Sequence, residues 1–503
     1  MCFKKKVLRI LEPSSNQCRV FSTEIRKPFN SIPGPLSLPA IGTLYQYLPL
    51  IGRYKFSKLH INGLKKYKQF GSIVREEIVP GVNTVWLFDP NDIEHLFRNE
   101  GVHPKRRSHL ALQKYRLDKP HVYNTGGLLP TNGENWWKLR QVFQKGLSGP
   151  IAVKNFISGS NEIVDEFLDR LNLMSKCSNI DYLPELSRLY LELICLSVFD
   201  VRMDSFSESE LSRNSRSTKL LKSALITNDC ILKLDNGPQL WRHFTTPLYW
   251  KLKKAQTCME DVAIDMVGIK MHTYQELNYD QPRSLLDIYL RSNELDFKDI
   301  IGISCDFLLA GMDTTSYTTS FLLYHLALNK EAQHKLWEES QRLLPNKNNP
   351  VTKEVLAEAH YAKACLKETH RLRPISVGVG RILSKPSVFS GYEVPEETII
   401  VTQNQISCRL ERYFSHPNDF LPERWLKDHP LHRNTHPFLV LPFGHGKRSC
   451  IAKHLAEQNM LILLLKLSRS YEIGWNGSNL DTTSSLINKP NGPILLNFKT
   501  RSL

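Results

Sequence analysis

The sequence has no C-x-x-C pair. Its ten cysteines stand singly at positions 2, 18, 177, 195, 230, 258, 305, 365, 408 and 450. That spacing excludes a disulfide framework and a zinc ribbon or finger. It suits a reducing compartment, in which most such cysteines serve as small buried hydrophobes. No internal repeat, low-complexity tract or late Pro/Gly-rich linker divides the chain. Its 503 residues therefore read as one large unit, although length alone would allow several domains. There is no RNP-type aromatic pattern, zinc-finger spacing or long Lys/Arg run, so the net charge of +16 finds no support for a nucleic-acid partner.

The N-terminus is short of apolar residues. Residues 1–27 hold no run near the roughly 18 residues that span a bilayer. A secretory core is excluded as well, because Arg9 and Glu12 interrupt the only apolar stretch. What is there is basic. Lys4, Lys5, Lys6, Arg9, Arg19, Arg26 and Lys27 face only Glu12 and Glu24, a charge of +5, among Ser14, Ser15 and Ser22. Such a start reads as a mitochondrial transit peptide, with a short basic tail as the plainer alternative. Arg19-Val20-Phe21-Ser22 resembles a matrix-protease site and predicts a mature chain beginning near Ser22. Residues 28–40, with Ile32-Pro33-Gly34-Pro35 and Pro39, are hostile to helix and are expected to form a stiff hinge before a folded body at 41–503.

Apolar residues recur at three- and four-residue steps through 161–200 and 250–275, which predicts helices. Residues 72–88 and 377–402 are β-prone, the latter punctuated by Gly391 and Pro395. The fold class is therefore mainly α with small β-sheets. Residues 297–328 are long and apolar but carry Asp306, Gly311, Asp313, Thr314 and Thr315. Two acids in its middle make a membrane span costly, so this reads as a helix buried through the protein centre. A glycine inside it weakens the helix, and close approach of a ligand to the backbone is the expected reason.

The segment Phe443-Gly444-His445-Gly446-Lys447-Arg448-Ser449-Cys450-Ile451-Ala452 concentrates the chemistry. Its glycines allow a tight turn, Arg448 is expected to favour the Cys450 thiolate, and an amphipathic helix over 451–466 would turn its free N–H groups toward the sulfur. Elsewhere Glu368 and Arg371 stand three apart, on one helical face, as do Trp136 and Arg140 at four. Taken alone, each such pair is ordinary surface or core.

The cysteine segment resembles the haem-binding loop of the cytochrome P450 superfamily, Phe-x-x-Gly-x-Arg-x-Cys-x-Gly. Every fixed position matches except the last, where Ala452 stands. The resemblance runs from about Ile32 to the end of the chain and implies the haem-thiolate fold. It makes Cys450 the axial metal ligand of haem b and Arg448 a partner of a haem propionate, with Phe443 shielding the sulfur. Trp136, Arg140 and Arg381 match further propionate-binding positions. Glu368 and Arg371, with Arg424 from Pro422-Glu423-Arg424, match the family's buried structural triad. Ala310-Gly311-Met312-Asp313-Thr314 matches its distal-helix pattern, which implies proton relay by Asp313 and Thr314 beside bound O2.

The transit-like leader, with no microsomal anchor, resembles the mitochondrial type. That implies electrons from a mitochondrial ferredoxin with its NADPH-dependent reductase, and peripheral contact with the inner membrane from the matrix side. Lys363, Lys367, Lys447, Lys453 and His454 are the candidate docking positions. Many mitochondrial members carry Arg-Arg where Lys453-His454 stands. Stretches such as Gly127-Leu-Leu-Pro-Thr-Asn-Gly133 and Gly378-Val-Gly-Arg-Ile-Leu383 are similar to the arthropod ecdysteroid 22-hydroxylases. They imply a steroid substrate, a ketotriol hydroxylated at carbon 22 to 2-deoxyecdysone. The residues themselves support only a bulky apolar substrate, with Leu110, Leu128, Leu309, Ala310, Val377, Val379, Leu486 and Ile487 as candidate lining. Hydroxylation at carbon 2 or 20 stays open, as does a non-catalytic haem-thiolate sensor.

Overall fold

The computed structural model describes residues 26–175, 179–237, 239–276 and 282–501. Most of the expected transit peptide thus lies outside the described residues. Among the described residues helices dominate, and ten short strands make four small sheets. The strands are β1 (Ile73–Glu76), β2 (Thr84–Leu87), β3 (Gly380–Ile382), β4 (Ser387–Phe389), β5 (Tyr392–Val394), β6 (Ile399–Thr402), β7 (Tyr471–Trp475), β8 (Thr482–Ser484), β9 (Asn488–Pro490) and β10 (Leu496–Thr500). The mainly-α class with small sheets is what forms.

The helix expected at 297–328 spans Phe297–Leu328, and 24 of its 32 residues are buried. Its start is capped by Asp296, whose side chain accepts from the Asp299 N–H at 2.9 Å. Burial on all sides explains why this helix is apolar around its whole circumference. Several of its hydroxyls are satisfied within the helix: Thr314, Thr318 and Ser320 each donate to the carbonyl four residues back, at 2.7–2.8 Å.

On one side lie the helices Arg216–Asn236 and Pro247–Glu276; on another, Leu183–Phe199. The periodic stretch 161–200 is two helices rather than one, Ile157–Met174 and Leu183–Phe199. Pro184 opens the second, where a missing N–H costs nothing. Two large apolar clusters share the central helix, one toward residues 216–267 and one toward the helices His360–Leu372 and Lys453–Ser470.

The main sheet runs β1-β2-β6-β3, with β2 and β6 parallel (Thr84 opposite Ile399) and the other pairs antiparallel. It joins the β-prone stretch at 72–88 to that at 377–402 and sets the 377–381 segment against one side of the central cavity. The Pro-rich stretch lies against β1: Ile32 is buried, and the Arg75 N–H donates to the Pro33 carbonyl at 2.9 Å. Among the described residues no helix is long and apolar enough to cross a membrane.

Candidate active site

A cavity of about 600 Å³ opens between the central helix, the main sheet and the cysteine loop. The loop is shaped by two left-handed glycines, Gly444 (φ +70) and Gly446 (φ +73). It closes where the Cys450 N–H donates to the Phe443 carbonyl at 2.8 Å. A Cβ on Gly446 would lie 2.1 Å from Glu100 Oε1, so that position has no room for one. Ala452 has ordinary dihedrals (φ −98, ψ 19), and the alanine in place of glycine is therefore unstrained. The helix Lys453–Ser470 follows directly.

Cys450 is enclosed by the protein, with its side chain exposed to the cavity. Burial raises its pKa, and the Ala452 N–H, Arg140 and Lys453 oppose that. Arg448 does not act on the thiol as its spacing in the sequence predicts. Arg448 turns away, donating to the Pro104 and Thr131 carbonyls and to Asn132 Oδ1. The guanidinium acting on the sulfur is Arg140, whose Nη1 donates to the Ser449 carbonyl at 2.9 Å.

Five arginines line the cavity, and four of them, Arg106, Arg140, Arg381 and Arg448, act on one another as a cluster, with Arg107 as the fifth. Of these, Arg381 has an ion pair, with Glu100 at 2.6 Å. Arg448 stacks on Trp136 at 4.1 Å, and its Nη1 is buried without a hydrogen-bond partner. Burial, then repulsion from Arg106, Arg381 and Arg140, pushes its pKa down to about 8. Such a cluster calls for anionic ligand groups. The two propionates of a haem fit that demand, and the cavity-facing thiol fits its iron. Arg106 and Glu100 were not legible in the sequence, since no local spacing ties either to the cysteine loop.

Across the cavity, Ala310, Gly311 and Thr314 line the central helix. Gly311 borders the cavity, and it has a second reason besides the one expected: a Cβ there would meet Ile194 Cδ1 at 2.6 Å, so the glycine also admits the neighbouring helix. The structure does not place Asp313 beside Thr314 in the cavity wall. Consecutive helical residues point about 100° apart, and the Asp313 carboxylate is buried against Asn228, whose Nδ2 donates to it at 2.9 Å. Burial raises its pKa to about 6.

Leu128, Leu309, Ala310, Val377, Val379, Leu486 and Ile487 all line the cavity. Leu110 does not. It opens the helix Leu110–Leu117, gives its N–H to Asp235 Oδ2 at 3.0 Å, and packs on the apolar cluster instead. The preceding His109, left-handed at φ +61, borders the cavity in its place. Behind the site, Glu368, Arg371 and Arg424 form one buried group, joined by the Trp425 indole. His370, next in sequence to Arg371, is buried edge-on to Phe443 at 5.3 Å, and burial pushes its pKa down to about 4, so the ring is neutral.

The family model described as Cytochrome P450 matches residues 32–498. Cytochrome P450 302a1, mitochondrial, of Drosophila melanogaster is 48% identical over 500 residues, covering 99% of both chains. From the same organism, probable cytochrome P450 301a1, mitochondrial, is 30% identical, covering 93% of this chain and 86% of its own. Ecdysone 20-monooxygenase, also from that organism, is 27% identical, covering 95% of this chain and 89% of its own.

Proposed function

The chain belongs to the cytochrome P450 family of haem-thiolate monooxygenases, and we propose that its substrate is a steroid, the ecdysteroid precursor ketotriol, hydroxylated at carbon 22. The observation that carries this reading is the placing of Cys450 and Thr314 on one cavity with a largely apolar wall. The motif stretches similar to the arthropod 22-hydroxylase known as disembodied supply the regiochemistry.

A bound haem would supply activation of O2 and transfer of one oxygen atom to carbon. Cys450 would hold it from one side, and Arg448, Arg140 and Arg381 would neutralise its propionates. Glu368, Arg371 and Arg424 would keep the loop rigid. The chain's remaining tasks are placement and proton control. Leu128, Leu309, Val379 and Ile487 would seat the steroid and exclude water. The Thr314 hydroxyl, now bound to the Ala310 carbonyl at 2.7 Å, can turn toward the cavity and donate. Asp313 is held by Asn228 away from the cavity, so its relay role would require its carboxyl to leave Asn228; its pKa near 6 suits proton exchange at neutral pH.

Electrons would come from a mitochondrial ferredoxin. Lys363, Lys367, Lys447 and Lys453 are exposed around the helix and loop that carry Glu368 and Cys450, which favours docking of an acidic protein on that face. The enzyme would work on the matrix side of the inner membrane after removal of the leader up to about Ser22. Exposed Leu50, Ile51, Leu240, Phe244 and Trp250 suit peripheral contact with that membrane. The deciding experiment supplies purified protein with ferredoxin, its reductase, NADPH and the ketotriol, and identifies the product by mass and retention. A 22-hydroxylated product is expected. Hydroxylation at carbon 2 or 20 would move the regiochemistry, and haem-loaded protein that forms no product would indicate a sensor.

A further inference from the structure

Asp306 is the second acid of the central helix, and the mechanism above does not use it. It is buried, at 4% exposure, and faces the cavity about two turns before Thr314. Its Oδ2 accepts from the Leu128 N–H at 2.7 Å and the Leu129 N–H at 3.3 Å. Its Oδ1 lies 2.8 Å from Arg116 Nη1. Arg116, fully buried on the helix Leu110–Leu117, also donates Nη1 to the Gly126 carbonyl at 2.9 Å. One buried charge pair thus grips the backbone of 126, 128 and 129. Between them Gly127 is left-handed (φ +86), and a Cβ there would fall 1.9 Å from Arg116 Nη1. The segment from Asp118 to Asn132 has no helix or strand of its own to hold it, yet Leu128 and Leu129 form part of the cavity wall.

We propose that Asp306, through Arg116 and the amides of Leu128 and Leu129, sets the position of this wall, and so decides which carbon of the substrate is presented for hydroxylation. It is a positioning residue for specificity. The inference rests on the cavity being the substrate site. A loop without regular structure has many conformations of similar energy, and a buried carboxylate selects one because its removal leaves Arg116 charged and unpaired. A carboxylate inside an apolar helix would otherwise be a pure cost.

The test uses two charge-free double variants of the full haem-loaded enzyme. Asp306→Asn/Arg116→Gln keeps an acceptor for the Leu128 N–H; Asp306→Ala/Arg116→Gln removes it. Hydrogen exchange at the Leu128 and Leu129 amides is measured by fragment mass spectrometry, and substrate affinity by the steroid-induced spectral shift. In the wild type both amides are protected. In the alanine variant exchange rises and steroid affinity falls, each by up to about tenfold relative to the asparagine variant, the scale of one neutral buried hydrogen bond, and additional hydroxylation positions appear. Equal exchange and affinity in the two variants would overturn the proposal. So would unprotected amides in the wild type, a measurement that stands even if the variants do not fold. If no steroid shifts the wild-type spectrum, the substrate reading fails on its own, while the exchange comparison still decides what Asp306 holds.

Discussion

Glu368 gives both carboxylate oxygens to Arg371, at 2.8 and 2.9 Å, with both side chains fully buried. Arg424 shares one of the same oxygens at 3.0 Å, and Arg371 goes on to bind the carbonyls of Cys408, Pro417 and Asp419. The pair therefore ties the helix His360–Leu372 to the irregular chain leading toward Cys450. Removing one partner of a buried pair costs about 3–5 kcal/mol. Arg371→Ala is expected to yield haem-free or misfolded protein, and the reduced carbon-monoxide spectrum checks it. A normally loaded variant would refute the structural role.

Thr314→Ala removes the hydroxyl from the cavity wall and leaves the Ala310 carbonyl to accept the ordinary helical hydrogen bond. NADPH consumption should continue, hydroxylated product should fall, and hydrogen peroxide should rise. Unchanged coupling between NADPH and product would sink the relay role.

Asp313→Asn should stabilise the protein at neutral pH. Burial lifts the folded pKa from 3.8 to about 6. The protonated acid is favoured by folding, so its contribution is fully present below the unfolded value and is lost as pH rises through 6. The ionised side chain thus costs at most about 3 kcal/mol at pH 7.5, from the size of the shift. The asparagine variant should melt higher than wild type there, and the advantage should vanish near pH 4. A difference independent of pH would count against a titrating, buried Asp313.

Gly446→Ala and Ala452→Gly form a contrasting pair. The first demands a left-handed alanine, costing about 1–2 kcal/mol, and drives a Cβ into Glu100, the partner of Arg381. Haem retention, read as the ratio of Soret to protein absorbance, should fall. The second changes a residue with unstrained dihedrals and should leave that ratio unchanged.

The leader makes a prediction of its own. The protein from purified mitochondria should begin near Ser22, which N-terminal mass spectrometry reads directly; intact Met1 would count against the transit peptide. Ferredoxin docking on the lysine face should weaken as salt rises, because exposed charges are screened within about 8–10 Å at ordinary ionic strength. A rate of reduction insensitive to salt would argue for another face.

Much of this molecule is written in local sequence. The buried helix Phe297–Leu328 follows from an apolar run interrupted by polar residues that a membrane would not accept. The cysteine loop follows from its glycines and fixed spacing, and the Glu368–Arg371 pair from a three-residue step on one helical turn. These features depend on neighbours a few residues away, and the chain alone determines them. Three others were decided by tertiary structure. Gly311 admits Ile194 from a helix more than a hundred residues earlier. Asp313 faces Asn228 rather than the cavity because the turn of the helix separates it from Thr314. Arg448 is drawn off the thiol by carbonyls at Pro104 and Thr131. Where a side chain in this fold can choose between a neighbour in sequence and a buried carbonyl far along the chain, desolvation decides, because a polar group taken out of water must find a partner wherever packing supplies one.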